Sequence, residues 1–184
     1  MKVTRSNIDG LFTIEPDVFE DDRGYFFESF NSKAFENATG VAVEFVQDNE
    51  SMSDKDVLRG LHFQIPPYAQ DKLVRVVRGS VLDVAVDLRQ DSPTFGKFEK
   101  VLLTEKNKKQ FFVPKGFAHG FRVLEDATIF SYKCSDFYHR DSERSLKWND
   151  PTIGIDWELN DPILSDKDKN AKLRLGDFRT TFQR

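Results

Sequence analysis

The sequence predicts a mainly β protein, built as an antiparallel sandwich or barrel with a few short helices. Short apolar stretches recur at close spacing, glycine and proline separate many of them, and strands do not alternate with long helices as in βαβ folds. With 184 residues, 39% hydrophobic and 32% charged, the chain is long enough for one ordinary core. We therefore expect residues 1–184 to form a single domain.

Charge and cysteine content narrow the range of partners. The 31 acidic residues outnumber the 27 basic ones, and the net charge of -4 argues against nucleic acid. The first residues lack the apolar core of a signal peptide, and no apolar run reaches the length of a membrane span, which predicts a cytoplasmic protein without membrane contact. The single cysteine, Cys134, excludes an internal disulfide and fits a reducing compartment.

The first predicted elements are two strands and a helix. Residues 11–14 and 24–30 have the apolar and aromatic content of strands, and the acidic stretch 19–24 is typical of a turn. Residues 32–37 predict a short helix, with Gly40 beyond its end.

A strand predicted over residues 43–51 begins with alternating apolar residues and continues into polar ones. Gln47 and Asn49 share a face if the strand continues, and their amides can then hydrogen-bond a ligand. A strand that ends there and enters a loop explains the same residues equally well, so both interpretations stay open.

The most informative stretch covers residues 57–64, because an apolar β-type run here contains an arginine, a glycine and a histidine. Arg59 and the nearby Lys72 can neutralise a phosphate or an oxyanion, and His62 can move a proton near neutral pH. Regular alternation places Arg59 and His62 on opposite faces. We therefore predict a bulge at Gly60 that turns both side chains into one cavity. A core histidine with satisfied nitrogens is the alternative for His62.

Residues 73–78 and 81–88 predict a hairpin that turns at Gly79. Alternation in the second strand places Asp83 in the middle of one face. A buried carboxylate needs a partner, and His119 is the histidine best suited to supply one.

The remaining strands are predicted over 95–103, 111–121 and 127–134, with Pro114 marking a corner and Tyr132 on the last strand. The chain then becomes less regular and is expected to pack as a layer on the strands.

A short helix is expected to begin at Ser165, whose hydroxyl can cap the first turn. Asp168 lies in that turn, where the helix dipole alone can explain a carboxylate.

The corner Pro114-x-Gly116-x-x-His119 resembles the second motif of cupins, a jelly-roll class in which that histidine often binds a metal. A metal cupin also needs a His-x-His pair and a glutamate on an earlier strand, and here that position holds His62 alone. Two histidines without a nearby carboxylate are few ligands for iron, manganese or zinc. We therefore favour a site without a metal.

Acid–base chemistry assisted by cations fits the remaining residues. The chain has no glycine-rich phosphate loop and no Gly-x-Ser-x-Gly motif. Isomerisation or epimerisation next to a carbonyl needs a base, a group that holds the enolate and an acid on the other side. His62, Lys72 and Tyr132 suit these three roles, although composition alone does not select them.

Several short motifs run in order through almost the whole chain. They are Arg23-Gly24-Tyr25-Phe26-x-Glu28, Gln47-Asp48-Asn49-x-Ser51-x-Ser53, Val57-Leu58-Arg59-Gly60-Leu61-His62-x-Gln64, Lys72-Leu73-Val74-x-Val76, Pro114-x-Gly116-Phe117-Ala118-His119-Gly120-Phe121, Tyr132-Lys133-Cys134, Asp150-Pro151, Ile155-x-Trp157 and Leu164-Ser165-x-Lys167-Asp168. As a set, the motifs resemble those of the dTDP-4-dehydrorhamnose 3,5-epimerase family.

The resemblance implies a cupin-type jelly roll without metal or cofactor. It also implies a homodimer that exchanges N-terminal strands, and a thymidine diphosphate (dTDP) 4-keto-6-deoxy sugar as substrate. His62 would be the base, oriented by Asp168, and Tyr132 the acid on the opposite side of the sugar. Lys72 would stabilise the enolate oxygen at C4.

The resemblance further implies which residues bind the substrate. Arg59, and Arg23 from the partner chain, would hold the diphosphate. The residues expected to contact the nucleotide or sugar are Glu28, Gln47, Asn49, His119, Glu143 and Lys167. The residues expected to stack on thymine are Phe19, Phe26 and Tyr138. The pairing of His119 with Asp83 is also a feature of the family.

The leading function is therefore epimerisation at C3 and C5 of dTDP-4-dehydro-6-deoxy-D-glucose. Both hydrogens are α to the C4 ketone, so one base and one enolate-stabilising group can invert both centres. A single-centre epimerase on a related nucleotide sugar is the first alternative. A metal-dependent cupin enzyme and a non-catalytic module that binds sugar nucleotides are the others.

Overall fold

The computed structural model describes residues 1–179 and Phe182, and most of its regular structure is short antiparallel strands. In chain order the strands are β1 (Lys2–Arg5), β2 (Phe12–Glu15), β3 (Phe19–Asp21), β4 (Gly24–Phe26), β5 (Gln47–Ser53), β6 (Leu58–Gln64), β7 (Lys72–Arg78), β8 (Ser80–Asp87), β9 (Phe98–Thr104), β10 (Gln110–Val113), β11 (Phe117–Val123), β12 (Thr128–Cys134) and β13 (Glu143–Ser145). The helices are α1 (Ser32–Thr39) and α2 (Asp166–Lys169), and single 3₁₀ turns cover Arg140–Ser142 and Leu175–Asp177. Among these described residues, no helix is long and apolar enough to cross a membrane.

Two sheets pack face to face, and the core lies between them. The first sheet has the order β1-β2-β10-β7-β12-β5, and the second has the order β13-β6-β11-β8-β9. Phe111 and Phe130 of the first sheet share one apolar cluster with Ala85 and Phe121 of the second. The rings of Phe121 and Phe130 stack with their centroids 4.0 Å apart. The predicted fold class, a cupin-type antiparallel jelly roll with a few short helices, is confirmed.

The outer face of the second sheet is covered by the C-terminal part of the chain, as the loss of strand pattern there predicts. Leu58 and Val86 of this face pack with Trp157 and Leu175 of the covering layer. Every residue of β8 is therefore buried. Both faces of the strand are removed from water, one by the first sheet and one by this layer.

The hairpin predicted from β7 to β8 is wrong. The two strands belong to different sheets, and the chain crosses between them at Gly79, whose φ is 81°. A Cβ at this position would lie 2.2 Å from Oγ1 of Thr128, so the crossing leaves no room for a side chain. A glycine between two apolar strands is compatible both with a hairpin and with a crossing between sheets, because the residues of a turn do not determine which strands pair.

Three predicted boundaries near the N-terminus also need correction. The strand expected over 24–30 is shorter, and the turn expected over 19–24 contains β3, which pairs with β4 in a ribbon outside both sheets. The strand expected over 43–51 begins only at Gln47. Val43 and Phe45 pack against the cluster that contains Phe35 of α1, so they are half-buried there without strand pairing.

Both helices begin at a side-chain cap. Asn31 accepts a hydrogen bond from the amide of Ala34, and Gly40, with a φ of 76°, ends α1. At α2 the Ser165 hydroxyl accepts a hydrogen bond from the amide of Asp168, which confirms the predicted cap.

The bulge predicted at Gly60 is confirmed by the pairing of β6 with β11. His62 lies opposite His119, but Arg59 lies opposite Phe121, so two residues of β6 face Gly120 alone. Gly60 has a φ of 137°, which favours glycine. The extra residue gives Arg59 and His62 the same parity, and both side chains line one cavity.

Candidate active site

A cavity of about 440 Å³ opens between the two sheets, and a second of about 150 Å³ shares part of its wall. His62, Lys72 and Tyr132 line both cavities. His62 comes from β6 of the second sheet, whereas Lys72 and Tyr132 come from β7 and β12 of the first. The larger cavity is also lined by the predicted residues Gln47, Asn49, Tyr138, Glu143 and Lys167. The smaller cavity is also lined by the predicted residues Arg59 and His119.

Asp168 lies behind His62, as the resemblance implies. Nε2 of His62 is 2.5 Å from Oδ1 of Asp168, although 106 residues separate them in the chain. Ser165 donates its hydroxyl to the other carboxylate oxygen at 2.9 Å. Burial raises the pKa of Asp168, but the hydrogen bonds with His62 and Ser165 and the charge of Lys167 outweigh it, so the net pKa is lowered. The carboxylate therefore stays ionised.

His62 is a neutral imidazole at pH 7. Burial lowers its pKa, and the hydrogen bond to Asp168 opposes this shift only in part. Because Asp168 is ionised, Nε2 carries the ring proton and donates it to the carboxylate. The lone pair is then on Nδ1, which makes this nitrogen a base near neutral pH.

Lys72 and Tyr132 supply the two donors on the other sheet. Burial lowers the pKa of the Lys72 ammonium, while Cys134, Asp83 and Glu143 raise it. Burial also raises the pKa of Tyr132, so its phenol keeps its proton at neutral pH. Tyr132 can therefore act as an acid, and the Lys72 amine can donate a hydrogen bond to an oxyanion.

The smaller cavity contains Arg59 and His119. The guanidinium of Arg59 donates from Nη2 and Nε to the hydroxyl of Ser53 at 2.9 and 3.2 Å. Nε2 of His119 lies 2.9 and 3.0 Å from the two carboxylate oxygens of Asp83, which is fully buried, so the structure forms the predicted pair. Burial raises the pKa of Asp83, and His119 opposes this shift.

Charged and polar side chains meet at the rim of the larger cavity. Lys167 donates to Oε1 of Glu143 at 2.6 Å, and the Tyr138 hydroxyl donates to Oε2 at 3.2 Å. Because Lys167 precedes Asp168 on α2, this helix supplies both a rim residue and the carboxylate behind His62.

Gln47 and Asn49 share a face of β5, so the interpretation as a continuing strand is the correct one. Nε2 of Gln47 donates to Oδ1 of Asn49 at 3.0 Å, and Nδ2 of Asn49 lies 3.7 Å from Sγ of Cys134. Burial raises the pKa of the Cys134 thiol.

Four predicted binding residues line neither cavity of their own chain. Phe19, Arg23 and Phe26 are exposed on the ribbon of β3 and β4, where Arg23 pairs with Asp21 at 2.5 Å. Glu28 is also exposed, and it accepts a hydrogen bond from Asn31.

No role was predicted for Gln64 or Gln70, which also line the larger cavity. Gln64 follows His62 by two residues, so strand alternation alone places both on one face. Gln70 lies between β6 and β7, where no periodicity marks it.

No group of three or more His, Cys, Asp or Glu side chains that could hold a metal ion occurs within residues 1–179 and Phe182. His62 and His119 instead have separate carboxylate partners, Asp168 and Asp83.

A jelly roll that carries a histidine on one sheet, pairs it with an aspartate from a helix and faces it with a lysine and a tyrosine from the other sheet has the residues of an acid–base enzyme of the cupin-like class. The chain belongs to the dTDP-4-dehydrorhamnose 3,5-epimerase family, whose model matches residues 5–174.

Known proteins similar to the chain cover almost all of it. The dTDP-4-dehydrorhamnose 3,5-epimerase of Shigella flexneri is 55% identical over 172 residues, which are 94% of this chain and 95% of that protein. The crystal structure of the enzyme of that name from Elizabethkingia anophelis has a TM-score of 0.88 and 53% identity, over 93% of this chain and 94% of that one. The crystal structure of the dTDP-6-deoxy-D-glucose-3,5-epimerase of Legionella pneumophila, in complex with dTDP-4-keto-L-rhamnose, has a TM-score of 0.91 and 50% identity. The match covers 95% of this chain and 93% of that one.

Proposed function

We propose that the chain converts dTDP-4-dehydro-6-deoxy-D-glucose into dTDP-4-dehydro-L-rhamnose by inverting C3 and C5. The observation that carries the proposal is that His62, paired with Asp168 of α2, lies on one sheet, opposite Lys72 and Tyr132 on the other, around one cavity. The names of the relatives and the sugar nucleotide bound to one of them support the same substrate.

Each inversion needs one proton removed and one returned. Nδ1 of His62 takes the proton from the carbon next to the ketone, and the electron pair moves onto the C4 oxygen as an enolate. Lys72 donates to that oxygen, a type of contact worth about 3 kcal/mol in the transition state. Tyr132 then gives its phenolic proton to the opposite face of the carbon, and solvent restores both residues.

The same residues can act at both carbons in turn. C3 and C5 flank the C4 ketone, so both hydrogens are acidified by one carbonyl and both reactions pass through an enolate at the same oxygen. The substrate is neither oxidised nor reduced overall. The proposed reaction therefore needs no redox cofactor, and we propose that it needs no metal.

The binding residues remain part of the proposal. Arg59 suits the diphosphate, because its guanidinium lines the smaller cavity beside the reacting residues. The proposed contacts to the nucleotide or sugar within the chain are Gln47, Asn49, His119, Glu143 and Lys167, with Tyr138 as a stacking partner of thymine.

We further propose a homodimer that exchanges N-terminal strands. The ribbon of β3 and β4 lies outside both sheets, and its Phe19 and Phe26 are 65% and 67% exposed. A two-stranded ribbon is marginally stable alone and needs a surface to pack on. In the dimer the ribbon would bring Arg23 to the diphosphate, Phe19 and Phe26 to the thymine, and the nearby Glu28 to the nucleotide bound by the other copy.

We also place the reaction in the cytoplasm, with residues 1–184 acting as one domain. Cys134 is a free, buried thiol, which fits a reducing compartment.

The test is exchange of solvent deuterium into the substrate, followed by NMR at both carbons. Wild-type protein is expected to label C3 and C5, and His62→Asn is expected to abolish both signals. Lys55→Gln is the control, because this exposed residue lines neither cavity. Label at one carbon would reduce the function to a single-centre epimerase. Binding without label would make it a binding module, and activity that depends on a stoichiometric metal would favour a metal cupin.

A further inference from the structure

Three consecutive residues at the rim of the larger cavity are held by two glutamine side chains. Oε1 of Gln47 accepts a hydrogen bond from the amide of Tyr138 at 3.0 Å. Nε2 of Gln64 donates to the carbonyl of Phe137 at 3.2 Å, and its Oε1 accepts from the amide of His139 at 2.7 Å. Gln47 belongs to the first sheet and Gln64 to the second. The two side chains therefore anchor the backbone on both sides of Tyr138.

Gln64 also holds a second rim segment. Its Nε2 donates to the carbonyl of Tyr68 at 2.6 Å, and the ring of Tyr68 stacks on that of His139 with centroids 3.9 Å apart. The loop after β6 and the loop after β12 are thus joined through one side chain. Gln64 is only 5% exposed, and both ends of its amide have backbone partners.

The position of Gln64 in the sequence connects this rim to the chemistry. His62 is two residues earlier on β6, and the two side chains share a face. Tyr138 is 55% exposed, and the bond from its hydroxyl to Glu143 is the side-chain hydrogen bond that the structure gives it. The position of its backbone relative to His62 is set by the two glutamine anchors.

We propose that Gln64, with Gln47, is a positioning residue that sets the distance between the nucleoside end of the site at Tyr138 and the base His62. The inference rests on the proposed function, in which Tyr138 stacks on thymine. Gln47 keeps its proposed contact with the substrate, and the bonds of its amide to Tyr138 and Asn49 give it the additional role of an anchor. Both polar atoms of the Gln64 amide are bonded to backbone of the rim, so its effect passes through the rim.

Gln64→Leu is the test variant, because leucine has a similar volume but cannot make the three hydrogen bonds. We expect the affinity for thymidine diphosphate to fall about tenfold and KM to rise by a similar factor, with kcat within about threefold of wild type. Gln64→Glu, which keeps the acceptor but places an oxygen against two carbonyls, is expected to behave in the same way. Thr128→Val is the matched control, since it removes one bond to a backbone carbonyl from a buried side chain that lines neither cavity.

Isothermal titration with thymidine diphosphate separates this inference from the function on which it rests. Unchanged nucleotide affinity in Gln64→Leu, or an equal loss in Thr128→Val, overturns the positioning role. A fall in kcat at unchanged KM also overturns it, because the residue would then act on the chemical step. If the wild type binds the nucleotide but labels neither carbon, the epimerase function fails while the titration still decides the role of Gln64.

Discussion

Gly60 and Gly120 touch across β6 and β11, and the contact leaves no room for a side chain. A Cβ at Gly60 would lie 2.6 Å from Cα of Gly120 and 3.0 Å from the carbonyl oxygen of His119. The same contact sits at the bulge that turns His62 into the cavity. The shape of the backbone at this point therefore decides where His62 lies.

Gly60→Ala is expected to lower the free energy of unfolding by at least about 2 kcal/mol, because the φ of 137° and the backbone clash both oppose a methyl group. Gly40→Ala is the matched control: its φ of 76° is also unfavourable, but the space around it is open, so a loss of about 1 kcal/mol is expected. Urea unfolding measures both. Equal losses would show that the contact with Gly120 does not matter.

The acid side of the pH profile is expected to report His62. Only the neutral ring can accept a proton, so kcat/KM falls as the pH drops through its pKa. Burial lowers that pKa, which places the midpoint below about 6.5, the ordinary value for histidine. Asp168→Asn removes a group that raises the pKa, so the midpoint is expected to move lower still while kcat also falls. A midpoint above the ordinary value, or an upward shift in the variant, would contradict this assignment.

Tyr132→Phe is expected to separate proton removal from inversion. His62 can still take the proton, but no acid remains on the opposite face, so inversion is expected to slow by about 10²- to 10⁴-fold. Exchange of deuterium with retained configuration should slow less. NMR of the recovered substrate and product gives both rates. Parallel loss of the two rates would remove Tyr132 from the acid role.

The exchanged dimer predicts recovery of activity when two defective chains are combined. In a mixed dimer of Arg23→Ala and His62→Asn, one site contains an intact His62 and receives Arg23 from the other chain. Random pairing therefore restores about a quarter of wild-type activity. Co-expression of His62→Asn with Tyr132→Phe is the control, because both residues come from one chain and no intact site forms. No recovery in the first pair would argue against exchange.

Local chemistry explains which parts of the structure are predictable from sequence. The parity conflict between Arg59 and His62 requires a bulge, and Gly60 is the residue between them that tolerates it. A carboxylate in the middle of a buried strand requires a partner, as Asp83 shows. These features depend on a few neighbouring residues and on general rules of strand geometry.

Features that depend on distant parts of the chain were missed or needed the family resemblance. No residue near Gly79 indicates that β7 and β8 belong to different sheets. The pairing of His62 with Asp168 spans 106 residues, so residue patterns alone explain Asp168 equally well by the dipole of α2. The backbone contacts of Gln64 are made with two loops that have no periodicity.

The placement of His62 and Tyr132, the proposed base and acid, on different sheets has a consequence for heat tolerance. The two sheets are held together by the layer of side chains between them, where Phe121 and Phe130 are stacked. Warming that loosens this layer would part the two catalytic halves while each sheet keeps its own hydrogen bonds. Turnover is thus expected to decay at temperatures where the circular dichroism of the strands is still intact.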